Sequence, residues 1–413
     1  MKYGCIGEHL KHSFSKEIHN ALTDYEYDIL EIPKDEFADF TEKRDFSAIN
    51  VTIPYKEVII PYMHYIDSHA KEIGAVNTVV NRSGKLYGYN TDFYGMCELI
   101  RHAGIELQDK KVVILGTGGT SKTALAVAKA LLAKSAIRVS RTSREDAISY
   151  EELYEKHRDT DVIINTTPCG MFPNISGCAV DISKFKNLSG VIDAVYNPLR
   201  STMVLDAKKQ KVPAEGGLYM LVAQAVRASE IFTDTKYPDG ETERIFKKML
   251  RDKENIVLIG MPASGKTTVG NILAKKMNRQ IIDTDELIVR REGKAISDIF
   301  RENGEDYFRR AESDVISEVS SMTGVIISTG GGAVLKKSNV DSLKKNGRLY
   351  FIDRPLEALI PTSDRPLAST RAAIERRYNE RYSTYLSSSD VTIDASSGAE
   401  DVAEKIERNF TND

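Results

Sequence analysis

The run Gly260-Met261-Pro262-Ala263-Ser264-Gly265-Lys266-Thr267 satisfies the pattern G-x-x-x-x-G-K-[ST]. Chemistry on a triphosphate needs those residue types at that spacing. Glycines let consecutive backbone N–H groups curl round phosphate oxygens, a lysine reaches the β and γ oxygens, and the adjacent hydroxyl binds Mg2+. Lys266 and Thr267 take the last two roles. Downstream, Asp283 and Asp285 follow the strand-like Gln280–Ile282. On an extended segment two such carboxylates point the same way and can serve a metal-bound water and a hydroxyl acceptor. Capping a helix over Glu286–Arg291 is the equal alternative. Arg309 and Glu312, three apart on one helix face, read as an ordinary surface ion pair. Ile327-Ser328-Thr329-Gly330-Gly331-Gly332 is a strand ending in more glycines than a turn requires, which points to backbone lying against a ligand. Asp364-Arg365 and Glu380-Arg381 bring further cations. The sequence has no N-K-x-D guanine signature, and all seven histidines precede residue 160. Chemistry in the C-terminal part therefore proceeds without imidazole, which suits phosphoryl transfer by positioning and charge.

A second glycine turn, Gly116-Thr117-Gly118-Gly119-Thr120, also follows a strand and opens a helix. Its spacing departs from G-x-G-x-x-G, yet a pyrophosphate can sit on such a helix N-terminus. The next strand ends at Val139-Ser140-Arg141-Thr142, and a cation there meets the 2′-phosphate of NADP where an acid would select NAD.

Two strand–glycine–helix units must position these loops. The first runs from the strand Val112–Gly116 into a helix through Thr123–Ala133. The second runs from Ile256–Gly260 into Thr267–Met277. Short strand-like and helix-like runs alternate throughout, which predicts α/β architecture. The 413 residues suit two or three domains. Glu241–Lys253 reads as a charged amphipathic helix, and the junction at Phe246–Asn255 has no Gly/Ser or Pro-rich spacer. A net charge of -3 argues against a nucleic-acid or membrane surface. The N-terminus lacks a signal-peptide block and no stretch matches a membrane span. The four cysteines have no metal-like spacing, as in a reduced, cytoplasmic protein.

Ser13-Phe14-Ser15, Asn50-Val51-Thr52-Ile53-Pro54-Tyr55-Lys56, Gly74-Ala75-Val76-Asn77-Thr78 and Gly88-Tyr89-Asn90-Thr91-Asp92 precede the first loop. Asn165-Thr166-Thr167-Pro168, Asp193-Ala194-Val195-Tyr196-Asn197-Pro198 and Gly217 to Ala225 follow it. In order and spacing they resemble the shikimate dehydrogenase family over nearly all of residues 1–250. The resemblance implies a substrate-binding α/β domain at 1–95. A Rossmann-like NADP domain follows at 96–252, its last helices returning to the first domain. Lys56 and Asp92 become the catalytic pair. Ser13, Ser15, Asn50, Thr52, Asn77, Tyr196 and Gln224 should line the substrate pocket. Gly116, Gly118, Gly119, Thr120, Arg141, Thr142, Gly217 and Met220 should hold NADPH. Ala48, Lys16 and Ser140 stand where the family commonly has glycine, proline and asparagine.

The later marks resemble shikimate kinase over roughly residues 255–413, implying a P-loop kinase domain with a parallel sheet at 253–413. By that likeness Gly260, Ala263, Ser264, Gly265, Lys266, Thr267 and Thr268 bind ATP. Thr267, and Asp283 through water, serve Mg2+. Asp285, Arg309, Gly331 and Arg381 bind the substrate, and Arg365 comes from a short lid.

Together the halves imply reduction of 3-dehydroshikimate to shikimate, then its phosphorylation. Three alternatives stay open: a quinate dehydrogenase, a kinase for another hydroxy-acid, and a non-catalytic shikimate-sensing protein. The expected partners are small molecules, with no nucleic acid and no membrane, and the oligomeric state is open.

Overall fold

The computed structural model describes residues 2–8, 10, 14–142, 144–360 and 370–412. The chain divides into one compact unit of residues 1–197 and 201–249 and a second of 198–200 and 250–413.

The first unit holds two sheets. Strands β1 (Tyr3–Gly7), β2 (Tyr27–Glu31), β3 (Ala48–Val51), β4 (Tyr65–Ile66), β5 (Thr78–Arg82) and β6 (Lys85–Tyr89) form a mixed sheet in the order β2-β1-β3-β5-β6-β4. Its β5–β6 hairpin turns through Ser83 and Gly84, both with positive φ. The second sheet comprises β7 (Lys111–Leu115), β8 (Ser135–Ser140), β9 (Ile148–Ser149), β10 (Val162–Asn165), β11 (Gly190–Asp193) and β12 (Ala214–Glu215). It runs β12-β11-β10-β7-β8-β9, and every pairing is parallel. Val112 to Leu115 and Val162 to Asn165 are all buried, as unbroken apolar runs are when helices cover both faces of a parallel sheet. Chain order reverses between β7 and β10. In an open α/β sheet that reversal opens a ligand crevice beyond the strands' carboxyl ends.

Helix Thr91–His102 links the two sheets and packs along helix Leu218–Thr233. Gly95 permits the approach, because a Cβ there would stand 2.7 Å from the Met220 carbonyl oxygen.

The second unit is built on β13 (Asn255–Ile259), β14 (Ile281–Asp283), β15 (Ile326–Ser328), β16 (Gly347–Asp353) and β17 (Val391–Asp394). Their order is β14-β15-β13-β16-β17, all parallel. The loops after β13, β14 and β15 therefore leave from one edge. Helix Lys266–Met277 follows β13, and the long segment Ile296–Val319 is two helices merged across a kink at Gly304, where φ is 81°. Strand and helix positions agree with the sequence reading to within a few residues. At Asp283–Asp285, where the sequence leaves an extended run and a helix cap equally open, Asp283 is the cap and Asp285 lies in the first turn of helix Thr284–Glu292.

Candidate functional site

Lys56 lies in the short helix Tyr55–Val58 after β3, and Asp92 in the first turn of Thr91–His102 after β6. Pairing of β3 with β5, and of β5 with β6, brings those strand ends together. The Lys56 Nζ stands 2.6 Å from Asp92 Oδ2, with side-chain exposures of 17% and 6%. Asn90, not Asp92, caps the helix by accepting from Phe93 N at 3.2 Å, so the Asp92 carboxylate is left to the lysine. Asn77 Oδ1 accepts from Thr91 N at 2.7 Å, and its Nδ2 faces Gln224 Oε1 at 3.5 Å.

These groups border a cavity of about 590 Å3. Ser15, Asn50, Thr52, Lys56, Asn77, Asp92, Thr120, Tyr196, Gly217, Met220 and Gln224, all singled out from sequence, contribute to its wall. Ser13 falls outside the described residues. Burial pushes the Tyr196 phenol up to about 12, so it keeps its proton for donation. Its loop is anchored by Asp193, which accepts from Asn165 Nδ2 at 2.9 Å and from Val195 N at 3.0 Å. Cys5, His19, Glu31 and Phe172 also border the cavity and were not foreseen. Register could have found Cys5, which pairs with Asn50 across β1 and β3, and His19 lies one helical turn after Ser15.

Gly116 has φ 111°, and a Cβ on it would meet Thr166 Oγ1 at 2.8 Å, while at Gly118 and Gly119 a Cβ would meet nothing within 4 Å. The concave side of this loop is thus open to close backbone approach, which fits a pyrophosphate at the β7–β10 crevice. Arg141 and Thr142 are exposed beyond the end of β8. Gly217 is set by packing: a Cβ there would collide with the Ala194 carbonyl.

In the second unit, Gly260, Ala263 and Gly265 have φ of 150°, 64° and 90°, the left-handed turns that wrap a phosphate loop. Lys266 Nζ, nearly buried, donates to the carbonyls of Gly260 and Met261 at 2.9 Å. Among the described residues the buried Ser264 Oγ has no hydrogen-bond partner. A buried hydroxyl without a partner in such a loop fits a phosphate oxygen. Thr268 is exposed. Asp283 fills both roles weighed for it. Its Oδ1 accepts from Asp285 N at 3.0 Å and Glu286 N at 3.3 Å as a helix cap, while Oδ2 accepts from Thr267 Oγ1 at 2.8 Å and Ser328 Oγ at 3.0 Å. A hydroxyl bonded to a carboxylate beside a phosphate loop is an oxygen donor set that fits Mg2+.

Thr267, Asp283, Asp285, Arg309, Gly331 and Arg381 border a second cavity of about 530 Å3. The Arg309–Glu312 pair is not on the surface. Glu312 is 1% exposed and accepts from Arg309 Nη1 at 2.8 Å, because the helix face that carries both turns inward over the glycines. Burial pushes the Glu312 carboxyl above its usual range. Arg309 also meets Glu305 at 3.0 Å. Arg381 Nη1 donates to the Gly331 carbonyl at 3.2 Å, so the carbonyl of Gly331 is engaged there. None of the three glycines has positive φ. Each is hemmed in by a side chain of the site: a Cβ on Gly330 would meet Asp285 Oδ1 at 2.5 Å, on Gly331 the Pro262 ring at 2.8 Å, and on Gly332 the Arg309 guanidinium, which would have to shift. Arg365 and the lid lie outside the described residues. Among the described residues no helix is long and apolar enough to cross a membrane.

Residues 5–79 match the family model of the shikimate dehydrogenase substrate binding domain, and residues 262–411 that of shikimate kinase. A shikimate dehydrogenase (NADP(+)) of Clostridium perfringens is 36% identical over 265 residues, covering 60% of this chain and 97% of the relative. The crystal structure of shikimate dehydrogenase 1 from Peptoclostridium difficile aligns with a TM-score of 0.56 at 36% identity, covering 60% of this chain and 98% of that one. A shikimate 5-dehydrogenase from Thermus thermophilus, in complex with NADP(H) and shikimate, aligns with a TM-score of 0.54 at 25% identity, covering 60% and 99%. The chain therefore belongs to the shikimate dehydrogenase family through its N-terminal part and joins to it a shikimate kinase domain, an oxidoreductase and a phosphotransferase in one shikimate-pathway polypeptide.

Proposed function

We propose that the chain reduces 3-dehydroshikimate to shikimate with NADPH and then phosphorylates shikimate to shikimate 3-phosphate with ATP and Mg2+. In this reading residues 1–95 bind the ketone, 96–252 bind NADPH and 253–413 form the kinase. The observation that carries the first half is the Lys56–Asp92 pair at 2.6 Å on a cavity bordered by amide and hydroxyl groups. NADPH, when bound, supplies the hydride. The Lys56 ammonium stabilises the oxygen as it gains charge and donates the proton that completes the alcohol, and Asp92 orients that ammonium. Ser15, Asn50, Thr52, Asn77, Tyr196 and Gln224, with Ser13, hold the ring. Arg141 and Thr142 face the 2′-phosphate, consistent with the NADP named for the perfringens relative.

In the kinase half Arg309 and Arg381 grip the substrate carboxylate through planar, two-pronged donors, and Asp285 accepts from ring hydroxyls. Lys266 leaves the loop carbonyls for phosphate oxygens, and Thr267 with Asp283 holds the metal site. Mg2+, when bound, neutralises charge on the transferring phosphate. Arg365 completes the site from the lid. A cytoplasmic location goes with this proposal, and the four free cysteines are compatible with a reducing compartment. Spectrophotometric NADPH oxidation by the purified chain tests the first half, and ADP release dependent on shikimate tests the second. No NADPH loss with 3-dehydroshikimate, or ADP release only with another hydroxy-acid, would overturn the respective half.

A further inference from the structure

Asn50 and Asn77 both border the first cavity. Each carries an amide, which can present oxygen or nitrogen to a ligand with nearly the same shape. Bonds behind the cavity wall settle which end each presents. Asn77 Oδ1 accepts from the backbone N–H of Thr91 at 2.7 Å, so that atom is an oxygen, and its Nδ2 faces Gln224 Oε1 at 3.5 Å. Asn50 Nδ2 donates to the backbone carbonyl of Asn77 at 3.3 Å, so that atom is a nitrogen, and its Oδ1 accepts from the Tyr27 hydroxyl at 2.7 Å.

One side chain bonds both amides. Thr78 is fully buried and lies directly opposite Asn50 in the antiparallel pairing of β3 with β5, so the two share a face of the sheet. Its Oγ1 accepts from Asn50 Nδ2 at 3.1 Å and donates to Asn77 Oδ1 at 3.0 Å. The Thr91 hydroxyl stands 3.1 Å from Thr78 Oγ1 and 3.3 Å from Asn77 Oδ1, at the start of the helix that carries Asp92. A hydroxyl has one proton and two lone pairs, and here all three are engaged. With both its N–H groups taken, Asn50 has only an oxygen lone pair for a ligand. With its oxygen taken, Asn77 has only N–H. A ring hydroxyl, donor and acceptor at once, satisfies both.

We infer that Thr78 is a positioning residue for the dehydrogenase: by accepting from one amide and donating to the other, its hydroxyl holds Asn50 as an acceptor and Asn77 as a donor toward the substrate's ring hydroxyls. This deepens the shikimate dehydrogenase reading above and rests on it. Thr78 acts through the two asparagines, since it is closed off from the cavity. Without its hydroxyl, Asn50 Nδ2 keeps a single bond at 3.3 Å and a buried N–H loses its partner. Such an unpaired group costs more than a hydrogen bond is worth on average, so the amide gains by turning away from its place.

The test uses the full chain, with shikimate and NADP as the probe reaction and the kinase activity of the same molecule as a control for folding. Thr78→Val keeps the side chain's shape and removes the hydroxyl. It should raise the KM for shikimate by about tenfold, the worth of one well-placed hydrogen bond, with kcat and the KM for NADP little changed. Thr78→Ala, which removes the same hydroxyl without crowding, should repeat that result. Thr78→Ser, which returns the hydroxyl, should recover most of the loss. Selectivity gives a readout that a merely structural role would not move. An analogue of shikimate without the ring hydroxyls that are not oxidised gains nothing from the two amides. The ratio of kcat/KM for shikimate over that analogue should therefore fall by about tenfold in Thr78→Val. An unchanged ratio, a loss confined to kcat, or no recovery in Thr78→Ser would overturn the inference. A wild-type chain inert toward shikimate would overturn the underlying dehydrogenase reading first, and the inference with it.

Discussion

At Gly118 and Gly119 a side chain would meet only open space, whereas at Gly265, equally open, φ is 90°. Gly118 and Gly119 thus leave room for a ligand to approach, whereas Gly116, at φ 111° and hard against Thr166, and Gly265 are set by the turn they must make. Gly330, Gly331 and Gly332 have a third reason, since their neighbours are the site's own side chains. Glycine-rich segments that look alike as sequence are therefore sensitive to different insults. The contrast extends to the charged groups. In the dehydrogenase cavity a lysine is already paired with the carboxylate that orients it. In the kinase cavity Arg309 leans on Glu305 and Glu312, carboxylates that set where its fork points.

The largest expected effects separate the two regions outright. Lys56→Ala should lower dehydrogenase kcat by about 10^2–10^4-fold, the usual worth of a positioned proton donor. Lys266→Ala should lower kinase kcat by about 10^2–10^3-fold, as for loss of one preorganised charge donor. Each should leave the other activity intact in the same preparation, read by NADPH absorbance and ADP release.

Next comes Gly332→Ala. A Cβ there would displace the Arg309 guanidinium, and a misplacement near 1 Å can cost about 10^2-fold in kcat/KM. Shikimate phosphorylation should fall by that order with ATP hydrolysis in the absence of acceptor unchanged. If shikimate kcat/KM stays near wild type, Arg309 is not the clamp.

Gly118→Ala should raise the KM for NADPH several-fold without moving the melting temperature, because the methyl meets no protein atom. Gly265→Ala should instead lower stability by about 1–2 kcal/mol, the cost of a left-handed L-residue. If Gly118→Ala destabilised and Gly265→Ala did not, the distinction between the two positions would fail. The smallest effect belongs to Ala263, an L-residue already at φ 64°. Ala263→Gly should relieve that strain and return part of it as unfolded-chain entropy, for a net gain of about 0.5 kcal/mol by denaturant melts.

Much of this was legible in the sequence. The second glycine loop announces itself by spacing, whereas the first departs from G-x-G-x-x-G and is legible only through the motifs around it; parallel strands read as apolar runs. What was not legible depends on folding partners. Asp283 has two oxygens, and only the meeting of β14 with β15 and helix Lys266–Met277 shows that one caps while the other takes Thr267. The spacing of Arg309 and Glu312 is that of countless surface pairs. Its inward turn follows from the packing of Phe308, Val315 and Ile316 into the core, which no i, i+3 rule contains. His19 is not legible as a cavity residue, because a histidine four residues after Ser15 has no marked setting until Tyr25 and Tyr27, from other elements, meet its ring.

The measurement that bears most directly on this account is one assay of the purified chain with 3-dehydroshikimate, NADPH and Mg-ATP, following NADPH loss and ADP release together. Wild type should show both, Lys56→Ala should lose the first yet phosphorylate added shikimate, and Lys266→Ala should accumulate shikimate with no ADP. Loss of both signals in either single variant, or ADP release indifferent to shikimate, would contradict it.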